Sequence, residues 1–366
     1  FFCCSICIRK NTNILSFLHT FDKSKIAENF IFFISHQKHI AFLFLKFYNP
    51  KAKKYKYKRM EFFMIAKFLK FVEITTKITC IFSFLMALAF LFFSGQTINV
   101  PLTLVYFASM FIFDLTTTAI NNYIDSKDYP KMLPIPRRAA LISIIVMFLV
   151  STALGLYLAC CTDIVVLLIG VLCFICGVCY TYGPIPISRL PLGEIFSGIF
   201  QGTLVPFLLF YINMPDGSLI SLKLSFSEIS FTMQVVPLLT ILLLCLVPTC
   251  TIANIMLANN ICDVESDIRV NRFTLPYYLG NKTSVNLFAV LYYICYLVPC
   301  IMAAFKLLHP ACLLMFLTFP AVQKNINIFR KEQIKAVTFI SSIKNHLILM
   351  ISYCAVIFLC GILVRL

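Results

Sequence analysis

Two short stretches of this 366-residue chain set acids and asparagines at helical spacing. The first, TTTAINNYIDSKDYPKMLPIPRR at 116–138, carries Asn121, Asn122, Asp125 and Asp128. Asn121 and Asp125 are four residues apart and share a helix face, with Asn122 three before Asp125 and Asp128 three after it. The second, ANNICDVESDIRVNRFTLP at 258–276, steps by fours through Asn259, Asp263 and Asp267, while Glu265 points away from that stripe. Carboxylates and amides offer hard oxygen donors. Mg²⁺ prefers such donors, keeps several waters and commonly bridges carboxylates to substrate phosphates. One acidic face cannot surround a diphosphate, whereas two faces from different halves of a chain can hold Mg²⁺ on both sides of it. Lys127, Arg137, Arg138, Arg269 and Arg272 lie close enough in sequence to meet the remaining phosphate oxygens. Such a clamp stabilises a departing diphosphate and leaves an allylic carbocation in a lipid-side cavity. Either motif alone reads equally well as a capped cytoplasmic loop; their repetition is what points to a site.

The elements that must position these residues are membrane helices. The chain is 60% hydrophobic and 13% charged, with a mean hydropathy of +0.92. That leaves a water-soluble globule nowhere to bury its apolar side chains, and it excludes a disordered chain or a small disulfide scaffold. Apolar runs of about 20 residues favour a helical bundle over a barrel. Nine spans are predicted, near 73–95, 99–120, 139–160, 163–182, 193–212, 232–257, 284–306, 307–323 and 346–364. The fold class is therefore all-α and polytopic.

Loop charges predict the orientation. One side carries Lys127, Lys131, Arg137, Arg138, Arg189, Arg269, Arg272, Lys282, Lys324, Arg330, Lys331, Lys335 and Lys344; the other offers only Lys223, Lys306 and Arg365. This asymmetry places the N-terminus and both acidic motifs in the cytoplasm and the C-terminus outside. The net charge of +16 reads as orientation and lipid contact, not as nucleic-acid binding. Twelve of the 31 Lys and Arg residues lie in 1–59, ahead of the first methionine, Met60. That segment is read as a basic leader or upstream translated sequence, the alternative being a membrane-surface segment, and 60–366 as the transmembrane domain. Cys173, Cys176 and Cys179 lie in an apolar run with no histidine nearby, so they are expected at a helix–helix contact and not on zinc.

With these motifs the chain resembles the UbiA superfamily of intramembrane aromatic prenyltransferases, which have nine transmembrane helices and two Asp-rich motifs. The family's second motif, D-x-x-x-D, is met by Asp263 and Asp267. Its first, commonly N-D-x-x-D-x-x-x-D, is met at Asn121 and Asp125, with Asn122 in place of the usual Asp and the last acid one residue early, at Asp128. The segments YTYGPIPISRLPLGEIFSG (180–198), NNICDVESDIRVNRFTLPYYLG (259–280) and KFVEITTKI (70–78) resemble the 1,4-dihydroxy-2-naphthoate branch, over about 70–365. The resemblance implies a Mg²⁺-dependent transfer of a polyprenyl group from its diphosphate to an aromatic acceptor, 1,4-dihydroxy-2-naphthoate, in menaquinone biosynthesis. It implies Asp125, Asp128, Asp263 and Asp267 on metal, assisted by Asn121 and Asn259. It further places Asn122, Lys127, Arg138 and Arg272 on the diphosphate, and Tyr180, Tyr182 and Arg189 on the acceptor or prenyl group. Tyr180 and Tyr182 read equally as an interfacial aromatic belt, Arg189 as a cytoplasmic-side charge, and Glu194 as a helix-dipole cap. Another acceptor (4-hydroxybenzoate, haem or a chlorophyllide) and a cation-coupled transporter remain as alternatives; a phosphatidyl-alcohol transferase lacks its D-G-x-x-A-R pattern here. The expected location is a bacterial plasma membrane.

Overall fold

The computed structural model describes residues 54–127, 133–183, 186–224 and 228–366. The chain divides into two compact units, Phe1–Arg59 and Met60–Leu366, and the membrane helices belong to the second. In order the helices are α1 (Lys54–Phe71), α2 (Ile78–Phe93), α3 (Val100–Asp125), α4 (Arg137–Cys161), α5 (Ile164–Cys179), α6 (Gly193–Asn213), α7 (Val235–Arg269), α8 (Leu275–Leu279), α9 (Asn281–Ala304), α10 (Pro310–Lys331) and α11 (Ile340–Leu363). Among the described residues, eight helical segments are long and apolar enough to cross a bilayer, and α5, at 16 residues, is a shorter apolar ninth. The protein is an integral membrane protein with a predominantly helical, polytopic fold, as its hydropathy requires. Most of 1–59, together with Asp128 and Pro184, lies outside the described residues.

Local signals set several helix ends. The Asn99 side chain accepts from Leu102 N at 3.2 Å at the start of α3, and Asp163 accepts from Val165 N at 2.9 Å at the start of α5, as N-caps do. After α5 ends, Gly183 takes φ +139°, where a side chain would be strained, and the chain turns toward α6.

Three elements differ from the expected spans. α7 does not stop near residue 257 but continues as one 35-residue helix to Arg269. At 1.5 Å per residue it is about 52 Å long, well beyond a hydrocarbon core of roughly 30 Å. Its polar last turns therefore carry Asn259, Asp263 and Asp267 out of the apolar region as rigid helix. α10 begins as a 3₁₀ stretch, Pro310–Thr318, and becomes α-helical at Phe319–Lys331, so it ends later than hydropathy suggests. Between α6 and α7 lies an antiparallel hairpin, β1 (Ile220–Leu224) and β2 (Ile229–Met233), in register Ile220↔Met233, at the end of α7 remote from the acids.

α7 packs against α6, α9 and α11, burying Leu244, Val247, Phe288, Tyr292 and Tyr353 among them. Pro248 sits inside α7 and has no N–H to give the Leu244 carbonyl one turn earlier. The Tyr353 hydroxyl of α11 donates to that carbonyl instead, at 3.2 Å. Opposite this point α6 contains a π-helical stretch, Gly198–Leu204, where two glycines let the backbones meet. A methyl group on Gly202 would lie 2.4 Å from Thr249 N, and one on Gly198 would lie 2.8 Å from Thr249 O. Because the obstruction is backbone, it cannot rotate away. Gly202→Ala is expected to cost about 1–3 kcal/mol and to lower the thermal midpoint in detergent by several degrees. A midpoint within one degree of wild type contradicts this close approach.

Candidate active site

Asn121 and Asp125 of the first motif end up on the last turns of α3, and Asn259, Asp263 and Asp267 of the second on those of α7; residues in 180–183 and 186–193 bond to both ends. At one of these ends the Thr181 hydroxyl donates to Asn121 Oδ1 at 3.0 Å. At the other, Arg272 Nε donates to the Ser188 carbonyl at 3.0 Å, and Phe273 N donates to the Arg189 carbonyl at 3.1 Å. Arg272 also lies 3.9 Å from Asp267 Oδ1. Asn121 of the first motif and Arg272, beside Asp267 of the second, are therefore tied to the same connection.

Asp267 is 8% exposed, and its Oδ2 is buried with no hydrogen-bond partner. A carboxylate left this way is costly unless a cation completes it. Asp263 and Asn259, one and two turns earlier on the same stripe, grip a cation already: the Lys335 ammonium contacts Asp263 Oδ2 and Asn259 Oδ1. Glu265 is exposed, as its angular position predicts. Among the described residues no three His, Cys, Asp or Glu side chains enclose a metal ion by themselves. The donors available are all oxygen, in pairs, with one orphaned carboxylate oxygen. Such a set fits Mg²⁺ that takes its remaining ligands from water and phosphate.

The neighbouring asparagines have different partners. Asn260 donates to Glu194 Oε1 at 2.8 Å, fixing the start of α6 to α7, and Glu194 Oε2 is buried without a partner. Asn122, expected on the diphosphate, gives its amide to the Phe71 carbonyl at 2.9 Å and to Glu73 Oε1 at 3.2 Å. It ties α3 to the chain between α1 and α2. Arg137, not Arg138, reaches back to the first motif: its guanidinium donates to Ser126 Oγ at 3.2 Å and lies over the Tyr123 ring at 4.3 Å. Arg138 and Lys127 are exposed. Of the two tyrosines, Tyr182 is 65% exposed, whereas the Tyr180 hydroxyl is buried with no partner. A methyl group on Gly193 would meet that hydroxyl at 3.4 Å. A phenol is neutral at physiological pH, so this hydroxyl is a neutral donor. Cys173, Cys176 and Cys179 carry free thiols; Gly177 among them packs on Phe113 and Thr117 of α3.

Two groups escaped the sequence reading. Lys335 had only its sign to recommend it. The other is an ion pair inside the bundle, Lys77 Nζ to Asp114 Oδ1 at 3.2 Å, with side chains 3% and 10% exposed. Gln201, on the π-helical stretch of α6, donates to the same Asp114 oxygen at 3.0 Å and accepts from the Thr79 hydroxyl at 3.0 Å. An aspartate within the apolar run FIFDLTTT was the available signal.

Among the described residues, eight membrane-length helices and one shorter apolar helix carry the Asn/Asp stripes on the last turns of α3 and α7, and a family match accords with this arrangement. The profile of the UbiA prenyltransferase family matches residues 80–343, and the chain belongs to that family. Among curated relatives it is 29% identical, over 148 residues, to 1,4-dihydroxy-2-naphthoate octaprenyltransferase of Bacillus subtilis (strain 168). That match covers 40% of this chain and 41% of the relative's length. Among solved structures the fold is similar to a UbiA homolog from Aeropyrum pernix K1, with TM-score 0.56, 16% identity, and 78% and 97% of the two chains covered. It is also similar to a UbiA homolog from Archaeoglobus fulgidus bound to GPP and Mg²⁺, with TM-score 0.54, 14% identity, and 80% and 99% covered. At these identities the structural likeness is one of fold.

Proposed function

We propose that this protein transfers a prenyl group from a polyprenyl diphosphate to 1,4-dihydroxy-2-naphthoate, the prenylation step of menaquinone biosynthesis. The observation that carries the reading is that both motifs bond to one connection: Thr181 to Asn121 of the first, and Ser188 to Arg272, which stands beside Asp267 of the second, with Phe273 N on the Arg189 carbonyl. The naphthoate acceptor draws on the Bacillus subtilis relative, and the diphosphate and Mg²⁺ draw on the Archaeoglobus fulgidus homolog.

Asp125, Asp263 and Asp267 would hold Mg²⁺, with Asn121 and Asn259 beside them and Asp128 a further donor from the same motif. Bound there, Mg²⁺ supplies positive charge for the oxygen of the leaving diphosphate. Arg272, its guanidinium oriented by the Ser188 carbonyl, adds bidentate-capable N–H donors to the phosphates. Lys127 and Arg138 add exposed positive charge on the approach. The neutral Tyr180 hydroxyl offers a hydrogen bond, or its ring a π-face, toward the cation and acceptor; Arg189 and Tyr182 line the same rim. The bond between prenyl carbon and diphosphate oxygen breaks, and the electron-rich ring carbon of the acceptor attacks the allylic cation. Loss of the acceptor's carboxylate as carbon dioxide restores aromaticity. The products are reduced demethylmenaquinone, diphosphate and carbon dioxide. With thirteen basic residues in the loops expected on one side and three on the other, this site would face the cytoplasm, and a bacterial plasma membrane draws on the Bacillus subtilis relative.

The test is an acceptor panel. Purified protein in lipid nanodiscs receives radiolabelled geranylgeranyl diphosphate and either 1,4-dihydroxy-2-naphthoate, 4-hydroxybenzoate or haem, with Mg²⁺ or with EDTA. Label is expected in a naphthoquinone product only, and only with Mg²⁺. Transfer to 4-hydroxybenzoate or haem instead reassigns the acceptor, and transfer undiminished in EDTA removes the metal.

A further inference from the structure

Lys335 stands 72 residues beyond Asp263 in sequence, in the turn between α10 and α11, yet its ammonium sits on both Asp263 and Asn259. The turn that delivers it is firmly built. Ile334 N donates to Thr338 Oγ1 at 2.8 Å, and Thr338 N returns a bond to the Ile334 carbonyl at 2.8 Å. Thr338 is 3% exposed. Gln333 donates to the Phe329 carbonyl at 2.7 Å and accepts from Asn281 at 3.0 Å, locking the turn to α10 and α9. The backbone is thus fixed, while the side chain, 42% exposed, ends on a flexible stem free to leave without moving that backbone.

The chemistry of this contact is specific. The Lys335 ammonium takes the two oxygen donors that the second motif would offer a metal ion. Two cations cannot share Asp263 at full strength, because like charges at contact distance repel strongly in a partly desolvated site. A diphosphate, in contrast, is an anion that an ammonium released from Asp263 can meet without crossing the bundle. We infer that Lys335 is the resting counter-cation of the second motif: it holds Asp263 and Asn259 while the site is empty, yields them to metal arriving with a diphosphate, and then pairs with that diphosphate. This rests on the metal–diphosphate reading above and adds a consequence to it. Metal alone competes with Lys335 and binds weakly, whereas metal and diphosphate together relieve the competition and bind tightly, so the site favours the loaded substrate over the free ion.

The full-length protein in nanodiscs tests this with Mn²⁺ as a paramagnetic probe, titrated alone and with geranyl diphosphate, for wild type and Lys335→Met. For Mn²⁺ alone, Lys335→Met is expected to bind about tenfold more tightly than wild type, and geranyl diphosphate with saturating Mn²⁺ about tenfold more weakly. Mn²⁺ affinity unchanged within twofold in the variant overturns the role of Lys335. Wild type that binds no Mn²⁺ even with geranyl diphosphate overturns the underlying metal–diphosphate reading instead. Should Lys335→Met fail to fold, Lys335→Gln carries the same comparison, since its neutral amide still bonds to Asp263 without competing as a cation.

Discussion

Asp267→Asn is expected to lower prenyl transfer by about 10²–10³-fold, the loss typical when one preorganised electrostatic contact to a developing charge is removed, while leaving the protein at least as stable as wild type. The two halves of this expectation come from the same geometry. Asp267 is nearly buried, and its Oδ2 has no partner. Arg272 stands 3.9 Å away, beyond a good hydrogen bond. Asparagine keeps the shape and removes a charge that the resting protein holds at a cost. A residue retained against stability is one whose charge is needed when a cation and a diphosphate arrive. Turnover in nanodiscs and thermal unfolding in detergent check the two halves together. Activity within threefold of wild type removes Asp267 from the site; a large loss of stability would make the carboxylate a structural residue. Asp263→Ala should lose transfer to a similar extent for a different reason, because it deletes one oxygen ligand and releases Lys335 from its contact.

The acidic motifs were legible in the sequence because helical spacing alone sets which residues share a face. Asn259, Asp263 and Asp267 needed only an uninterrupted helix, and α7 supplies one to Arg269. Its length was not legible: the hydropathy signal stops where the polar turns begin, although the hydrogen-bonded ladder continues. The same limit shifted α10, whose basic end is helical to Lys331 but reads as loop by composition. Partners across the fold were the hardest to read. Asn121 and Asn122 are adjacent and chemically identical, yet one meets Thr181 and the other the Phe71 carbonyl, a distinction set by the packing around α3. Lys335 looked like any other basic residue of a cytoplasmic-side loop, because nothing local records that its turn is anchored by Thr338 and Gln333. Tyr180 and Tyr182 behave likewise: one faces in and the other out because the chain turns away once α5 has ended at Cys179.

Lys77→Met and Asp114→Asn are each expected to destabilise the bundle, the first by roughly 3–5 kcal/mol because it leaves a buried carboxylate with no cation. In wild type the ammonium is shared among Asp114 Oδ1 at 3.2 Å, the Asp114 carbonyl at 2.9 Å and the Thr118 hydroxyl, and Gln201 holds the same carboxylate oxygen. Asp114→Asn is the milder change, since the carbonyl and hydroxyl still receive the ammonium and an amide can still meet Gln201. Combining Lys77→Met with Asp114→Asn should cost much less than the two single losses together, because neither charge is then stranded; a double-mutant cycle by unfolding in detergent measures this coupling. The same lock fixes the site. Asp114 lies on α3 below Asn121 and Asp125, Lys77 leads into α2, and Gln201 belongs to the π-helical stretch that brings α6 against Thr249 of α7. Loosening it should therefore misplace the first motif relative to the second, lowering transfer in proportion to lost stability, with the double variant recovering both. Single variants as stable as wild type would mean that water reaches the pair, and a double variant that regains stability without activity would give Lys77 or Asp114 a direct part in the reaction.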